Sequence, residues 1–277
     1  MKKIGILAIL AVLIAVSCKR PKPETTAVIE TSRWTFDTLH LAKEIFLNND
    51  STKGGLKLTL EFDYPSTFVN DSILKAVQTQ FLASFTDDQN GSYKGLTPVK
   101  GFEAFTEKNV EESVELGKAA QGSVIDFSEY YKTVKTSVTD TTLLTITGRT
   151  ETLQYSGGAH DSRYIDYFNI DLRNGNRLTI ESLFKPETSS RLVTLIKEVL
   201  ATTKNSNGDN ITLLDPDSVQ PSQNFYFNEQ GVVFVYNTYE ITPHSDGLIQ
   251  ALIPYDKLKD LIADPYKEII TLKTKKA

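Results

Sequence analysis

The chain has 277 residues, a formal charge of −5, 40% hydrophobic residues and a single cysteine. The mild acidity gives no clustered basic face of the kind nucleic acid requires, and no nucleic-acid partner is expected. One cysteine cannot form an internal disulfide, so stability must come from a hydrophobic core, for which the length is ample.

Lys2 and Lys3, the apolar run from Ile4 to Val16, Ser17 and then Cys18 have the order of a lipoprotein signal peptide over residues 1–17. At about 13 residues the run is short for a permanent transmembrane helix. Cys18 is therefore the expected lipidation site, carrying a diacylglycerol thioether and an acylated (palmitate-type) amino terminus. Two chains together make a stable anchor where one is marginal. Removing the signal takes away two lysines and moves the formal charge from −5 to −7. The expected location is the bacterial cell envelope, on the periplasmic face of the outer membrane, because Lys19 and Arg20 give no acidic export run. Residues 18–29 are polar and proline-bearing and read as a tether.

Strands are expected at 33–41 and 56–64, the second alternating Leu56, Leu58, Leu60 and Phe62 with polar neighbours. A helix follows, capped by Asn70, Asp71 or Ser72, with Ile73, Leu74, Val77, Phe81, Leu82 and Phe85 on one face. Residues 102–131 read as one long helix, or two broken between Gly117 and Gly122. Strands resume at 132–139 and 143–155. After Ser156-Gly157-Gly158 comes a strand to Leu172, a two-residue Asn174-Gly175 turn of type I′ and a returning strand at 178–180. A helix over 188–203, a hairpin of 224–227 with 232–236, a strand at 248–253 and a closing helix over 255–263 with Pro254 at its start complete the chain. The segregation of strands and helices favours an α+β fold, antiparallel sheet packed by helices, in two consecutive subdomains at 30–155 and 156–277.

Two clusters carry a family resemblance. The first is Tyr155-Ser156-Gly157-Gly158-Ala159-His160, followed by Asn169-Ile170-Asp171-Leu172 and Leu178-Thr179-Ile180-Glu181-Ser182-Leu183-Phe184. The second is Phe225-Tyr226-Phe227-Asn228-Glu229-Gln230-Gly231-Val232-Val233-Phe234, running into Tyr239-Glu240-Ile241-Thr242-Pro243 and Ile253-Pro254-Tyr255. Together they resemble the C-terminal domain of the RsiV type, a family named after an anti-sigma factor that senses lysozyme. Residues 30–155 are similar in layout to the domain paired with it, which also precedes the catalytic part of the peptidoglycan deacetylase PdaC. In that family Pro-Tyr and small residues usually follow the Tyr-Glu-Ile element, whereas here Pro243 is followed by His244, Ser245 and Asp246. The resemblance implies an extracytoplasmic pair of domains without the sigma-binding segment or the deacetylase's metal site.

The three histidines, His40, His160 and His244, are not spaced as metal ligands, so no metal and no cofactor are expected. Ser156-Gly157-Gly158 is not a hydrolase elbow, and no catalytic residue is assigned. The candidate ligand-binding residues are Tyr155, Gly157, Gly158, His160, Tyr239 and Glu240. His160 follows two glycines that permit close backbone approach, and Glu240 pairs with it if the two loops meet. The expected role is a non-catalytic envelope lipoprotein that binds a lysozyme-like protein or cell-wall glycan. The alternative is an accessory or catalytic role in polysaccharide modification.

Overall fold

The computed structural model describes residues 34–47, 50–88, 90–120 and 126–274. The signal run, Cys18 and the tether lie outside them. The elements are β1 (Thr35–Phe46), β2 (Gly55–Thr67), α1 (Asp71–Thr86), α2 (Pro98–Ala119), β3 (Tyr131–Thr141), β4 (Thr145–Tyr155), β5 (Ser162–Asp171) and β6 (Asn176–Arg177). They continue as α3 (Ile180–Leu183), α4 (Ser189–Leu200), β7 (Phe225–Phe227), β8 (Gly231–Tyr236), β9 (Ile249–Pro254), α5 (Tyr255–Leu258) and α6 (Lys267–Thr274). Strands β1 to β6 form one sheet in sequence order, and β7 to β9 a second. The fold is α+β, as expected from the sequence. One pair departs from the antiparallel pattern: β2 and β3 are parallel, because two helices intervene and carry the chain back to the end where β2 began.

Register puts the even-numbered residues of β2 from Leu56 to Phe62 and those of β3 up to the bulge after Val138 on one face. Leu58, Leu60 and Phe62 lie beside Lys132, Val134 and Thr136, which lie beside Gln154, Thr152 and Thr150. Thr152 and Thr150 in turn face Tyr164 and Asp166. Helices α1 and α2 cover the apolar half of this face through Val77, Phe81, Phe85 and Phe105. Phe62 and Phe85 stack at 4.5 Å, and Phe81 meets Phe168 edge-on at 4.9 Å. Each such ring, fully buried, contributes about 2–3 kcal/mol. Gly148 makes room for the Phe168 ring, which a Cβ there would meet at 2.1 Å. Asn70 caps α1 by accepting from the N–H groups of Ser72 and Ile73. Helix α2 begins at Pro98, earlier than expected, with Thr97 as its cap, and ends at Ala119.

The second core gathers Leu192, Leu195, Ile196 and Leu200 of α4 with Phe225, Phe234, Ile253 and Leu258. The two buried clusters divide between Leu172 and Leu178. The 155/156 position expected to separate subdomains falls in the turn between β4 and β5, inside the larger sheet.

Several expectations need correction in this half. The Asn174-Gly175 turn is not a two-residue type I′: Gly175 has φ +75°, Asn174 is not in the positive-φ region, and both N–H groups bond to Asp171 O. Arg173 folds back on the Asp171 carboxylate from its backbone N–H, Nε and NH2, and this wide loop replaces the tight one. The returning strand lies earlier than the expected 178–180, at Asn176–Arg177, and a reciprocal Thr179–Ser182 capping box makes Ile180 the start of α3 instead. Pro254 ends β9, opposite Gly231, and the closing helix is the four-residue α5. Helix α6, which the sequence reading missed, is held against the end of β3 by the buried Lys273 ammonium and the Asp140 carboxylate, with Phe227 beneath the cation.

The two cores are joined along the outer edge of β5. Asn237 accepts the Ile165 N–H at 2.8 Å and donates to Ile165 O at 3.0 Å. Asn224 donates to the same oxygen at 2.6 Å and accepts the Tyr167 N–H at 2.8 Å. Asn169 extends the series by donating to Phe225 O at 2.7 Å. All three amides are buried, and those of Asn224 and Asn237 satisfy strand-edge groups that would otherwise stay unpaired. Asn237→Ala leaves the Ile165 N–H without its acceptor and is expected to destabilise the fold by about 1–3 kcal/mol. Urea titration checks this; a loss below roughly 0.5 kcal/mol, the level of an ordinary surface change, contradicts the bridging role.

Candidate functional site

Strand β4 ends at Tyr155, whose hydroxyl donates to Gly158 O at 3.0 Å and closes the turn made by Gly157 (φ +96°) and Gly158 (φ +109°). A side chain is disfavoured at both φ values. The next residues are fixed from two sides. Tyr131 donates to the Asp161 carboxylate at 2.9 Å, a contact that raises the phenol's pKa, and Asp161 O lies 2.8 Å from His160 Nδ1.

The turn after β8 arrives at the same end of the sheet. His160 and His244 stack with ring centroids 3.7 Å apart, and the Tyr239 ring lies 5.5 Å from His244. The Tyr239 hydroxyl is 3.4 Å from His160 Nε2. Tyr239 has φ +68° and is 59% exposed. A bulky residue in left-handed backbone is strained, and strain of this kind persists where the surrounding structure enforces it.

Of the expected residues, Tyr155, Gly157, Gly158, His160 and Tyr239 converge on this end. Glu240 does not pair with His160; its carboxylate accepts from Asn237 Nδ2 at 3.3 Å, and desolvation holds its pKa above the ordinary carboxylate value. His244 is the member that sequence reasoning passed over. It sits in a short turn after Pro243, and only the meeting of the two loops gives it a role. Both His160 nitrogens already have neighbours, and among the described residues no three His, Cys, Asp or Glu side chains gather as metal ligands.

A second concave region of about 1020 Å³ opens where the two cores meet. Its floor is the uncovered part of the even-numbered sheet face: Lys132, Thr152, Gln154 and Tyr164. One wall is the end of α1, where Ser84 bonds Thr150 at 2.9 Å and Asp166 at 2.9 Å. Arg177 closes this network with a 2.6 Å bond to the other Asp166 oxygen. Glu240 and Gln223 of the C-terminal half form the opposite wall. Lys132 is partly buried, its ammonium 5.9 Å from the Phe105 ring centre, and desolvation lowers its pKa below the ordinary lysine value. Among the described residues that ammonium has no hydrogen-bond or ion-pair partner. Nothing in the local sequence around Lys132 marks it, since the cleft is assembled from cross-strand neighbours.

These features define an α+β protein with two concave or exposed regions built where its loops and its two cores meet. Residues 181–256, from α3 to the start of α5, match the family described as "Protein of unknown function (DUF3298)", and the chain contains that domain. It is 30% identical over 196 residues to the anti-sigma-V factor RsiV of Bacillus subtilis strain 168, covering 65% of this chain and 66% of that protein. It is 27% identical over 109 residues to an esterase of Mycobacterium tuberculosis, covering 38% of this chain and 47% of the esterase. The chain thus spans just under two thirds of the first relative and about half of the second. A solved DUF3298-family structure from Bacteroides fragilis NCTC 9343 superposes with TM-score 0.73 at 24% identity, covering 88% of this chain and 99% of that one. Another, from Pseudomonas aeruginosa PAO1, gives 0.56 at 14% identity, covering 83% and 95%. Both share the fold.

The lowered Lys132 pKa has a signed consequence. Between its depressed folded value and the ordinary lysine value, the unfolded chain holds a proton that the folded chain has already released. Stability contributed by this group therefore rises with pH across that window. Thermal melts of wild type and Lys132→Met through the alkaline range are expected to differ most at neutral pH, with the variant higher, and to converge as the lysine loses its charge. A constant offset between the two contradicts the desolvation account.

Proposed function

We infer that the protein is a non-catalytic binding module of the bacterial cell envelope, tethered through lipid on Cys18, that takes a lysozyme-like protein at the end formed by Tyr239, His160 and His244. The observation that carries this reading is the exposed Tyr239 ring, held in left-handed backbone beside two stacked imidazoles. Large aromatic side chains with a polar tip dominate the energetics of protein contacts. The resemblance to the lysozyme-sensing family, and the 30% identity to RsiV, support a protein ligand. The similarity to an esterase supports the alternative of an accessory or catalytic part in polysaccharide modification over a shorter stretch. Against that alternative stands the engagement of both His160 nitrogens, by Asp161 O and by the Tyr239 hydroxyl.

Calorimetry of the full-length chain with hen lysozyme is the direct test. Tyr239→Gly accepts φ +68° without strain, so a weaker complex is not a folding defect. The expected loss is roughly thirtyfold, the equivalent of about 2 kcal/mol for an aromatic anchor. An unchanged affinity removes this end as the contact; retention on peptidoglycan in the absence of lysozyme binding transfers the reading to cell-wall glycan.

The anchor is tested separately. Growth with a labelled fatty acid is expected to mark the wild-type polypeptide and to leave Cys18→Ser unmarked and released from membranes. Equal membrane retention of the two would remove the lipid from the account.

A further inference from the structure

We propose that the cleft between the two cores is a second binding site, separate from the Tyr239 end, for a sugar that carries a single carboxylate. Lys132 pairs with that carboxylate, and the sugar ring lies against Tyr164.

Four observations lead there. The first is the ammonium of Lys132. It sits above Phe105 with Lys108, Glu112 and Asp87 as its charged surroundings, and desolvation acts on it without a compensating bond among the described residues. An ammonium held that way costs stability, and an uncompensated cost in a cleft marks a functional position. An incoming carboxylate supplies the absent partner.

The second is the neutral floor. Gln80, Thr152 and Gln154 line the cleft, and among the described residues none of their side-chain groups is bonded to protein. Contrast Ser84 and Thr150, whose hydroxyls are consumed by each other and by Asp166 and Thr136. Unused amides and a hydroxyl beside a carboxylate acceptor site match a polyhydroxylated ligand, which offers both donors and acceptors.

The third is Tyr164, 47% exposed, directly across β4 from Val134 through Thr152. It presents a flat apolar face with a polar edge to the cleft, the geometry on which a sugar ring packs.

The fourth sets the charge of the ligand. Six carboxylates and three cationic side chains line the cleft. Arg177 is committed to Asp166, and Lys108 lies 3.7 Å from Glu112. That leaves Lys132 to meet one negative charge, while the remaining acids repel a polyanion such as a nucleic acid or polyphosphate. A volume of about 1020 Å³ accommodates a disaccharide or trisaccharide.

The test is calorimetry on the full-length chain with N-acetylmuramic acid and galacturonic acid as acidic probes, N-acetylglucosamine as the neutral sugar, and a tripeptide with a free carboxylate as the non-sugar anion. The acidic sugars are expected to bind at least roughly tenfold more tightly than the neutral sugar, because only they make a charge-assisted hydrogen bond to the ammonium. Methyl esterification of their carboxylates abolishes that margin on the wild-type protein, so the result does not depend on a variant's folding. Lys132→Met, expected to melt higher than wild type, removes the same margin. Tyr164→Ala weakens acidic and neutral sugars alike, and Tyr239→Gly changes neither. Absence of binding by every sugar at millimolar concentration, equal binding of acid and ester, acidic-sugar affinity retained in Lys132→Met, or preference for the tripeptide each overturns the proposal. Because Tyr239→Gly reads only the other end, failure here and failure of lysozyme binding are distinguishable.

Discussion

Two buried side-chain amides on the edge of β5 hold the molecule together. Strand β5 pairs with β4 along its whole length but with β6 at only two positions, which leaves Ile165 and Tyr167 with unpaired backbone groups in a buried setting. A third strand would satisfy them; here Asn224 and Asn237, at the two ends of the β7–β8 hairpin, do so instead. The arrangement fixes the smaller sheet against the larger one by hydrogen bonds that are directional, where hydrophobic contact alone tolerates sliding. Everything described as a site depends on that fixed relation.

The Tyr239 end and the cleft are both consequences of the clamp. Asn237 lies two residues before Tyr239 and also donates to Glu240, so the residue that seals β5 sets the position of the exposed ring and of one cleft wall together. Gln223, next to Asn224, accepts the first N–H of α3 and donates to Glu181, closing the same wall. The cleft is left open because α1 and α2 cover the even-numbered face only as far as Val134 and Thr150. Beyond that line the floor changes from Leu and Phe to Lys132, Thr152, Gln154 and Tyr164. The sheet face is thus half core and half cleft floor, separated by the Ser84–Thr150–Asp166–Arg177 network.

Much of the architecture is legible from local pattern. The alternation in β2 announces a half-buried strand, the Asn70-Asp71-Ser72 run announces the start of α1, where Asn70 proves to be the cap, and the hydrophobic spacing of α4 places Leu192, Leu195, Ile196 and Leu200 inward, as found. Where the reading failed, a distant partner decided the outcome. The Asn174-Gly175 turn widened because Arg173 grips Asp171 and reaches Pro265 O. The closing helix stopped at Leu258 because Ile262 pairs with Phe184. Helix α6 went unread because it docks through Ile269 in the second core and through a buried lysine that meets an aspartate more than a hundred residues earlier.

The sequence by itself determined the fold class, the position of most strands and helices, and that the two glycines before His160 make a turn, since each follows from short-range periodicity and backbone sterics. It also brought Tyr155, His160 and Tyr239 forward as a group through motif resemblance. Only the tertiary structure decided that β2 and β3 run parallel, that His244 rather than Glu240 is the neighbour of His160, and that Lys132 stands in a cleft without a hydrogen-bond or ion-pair partner among the described residues. Those facts depend on which strands lie side by side and which loops meet, and contacts between residues far apart in the chain leave no periodic trace in it.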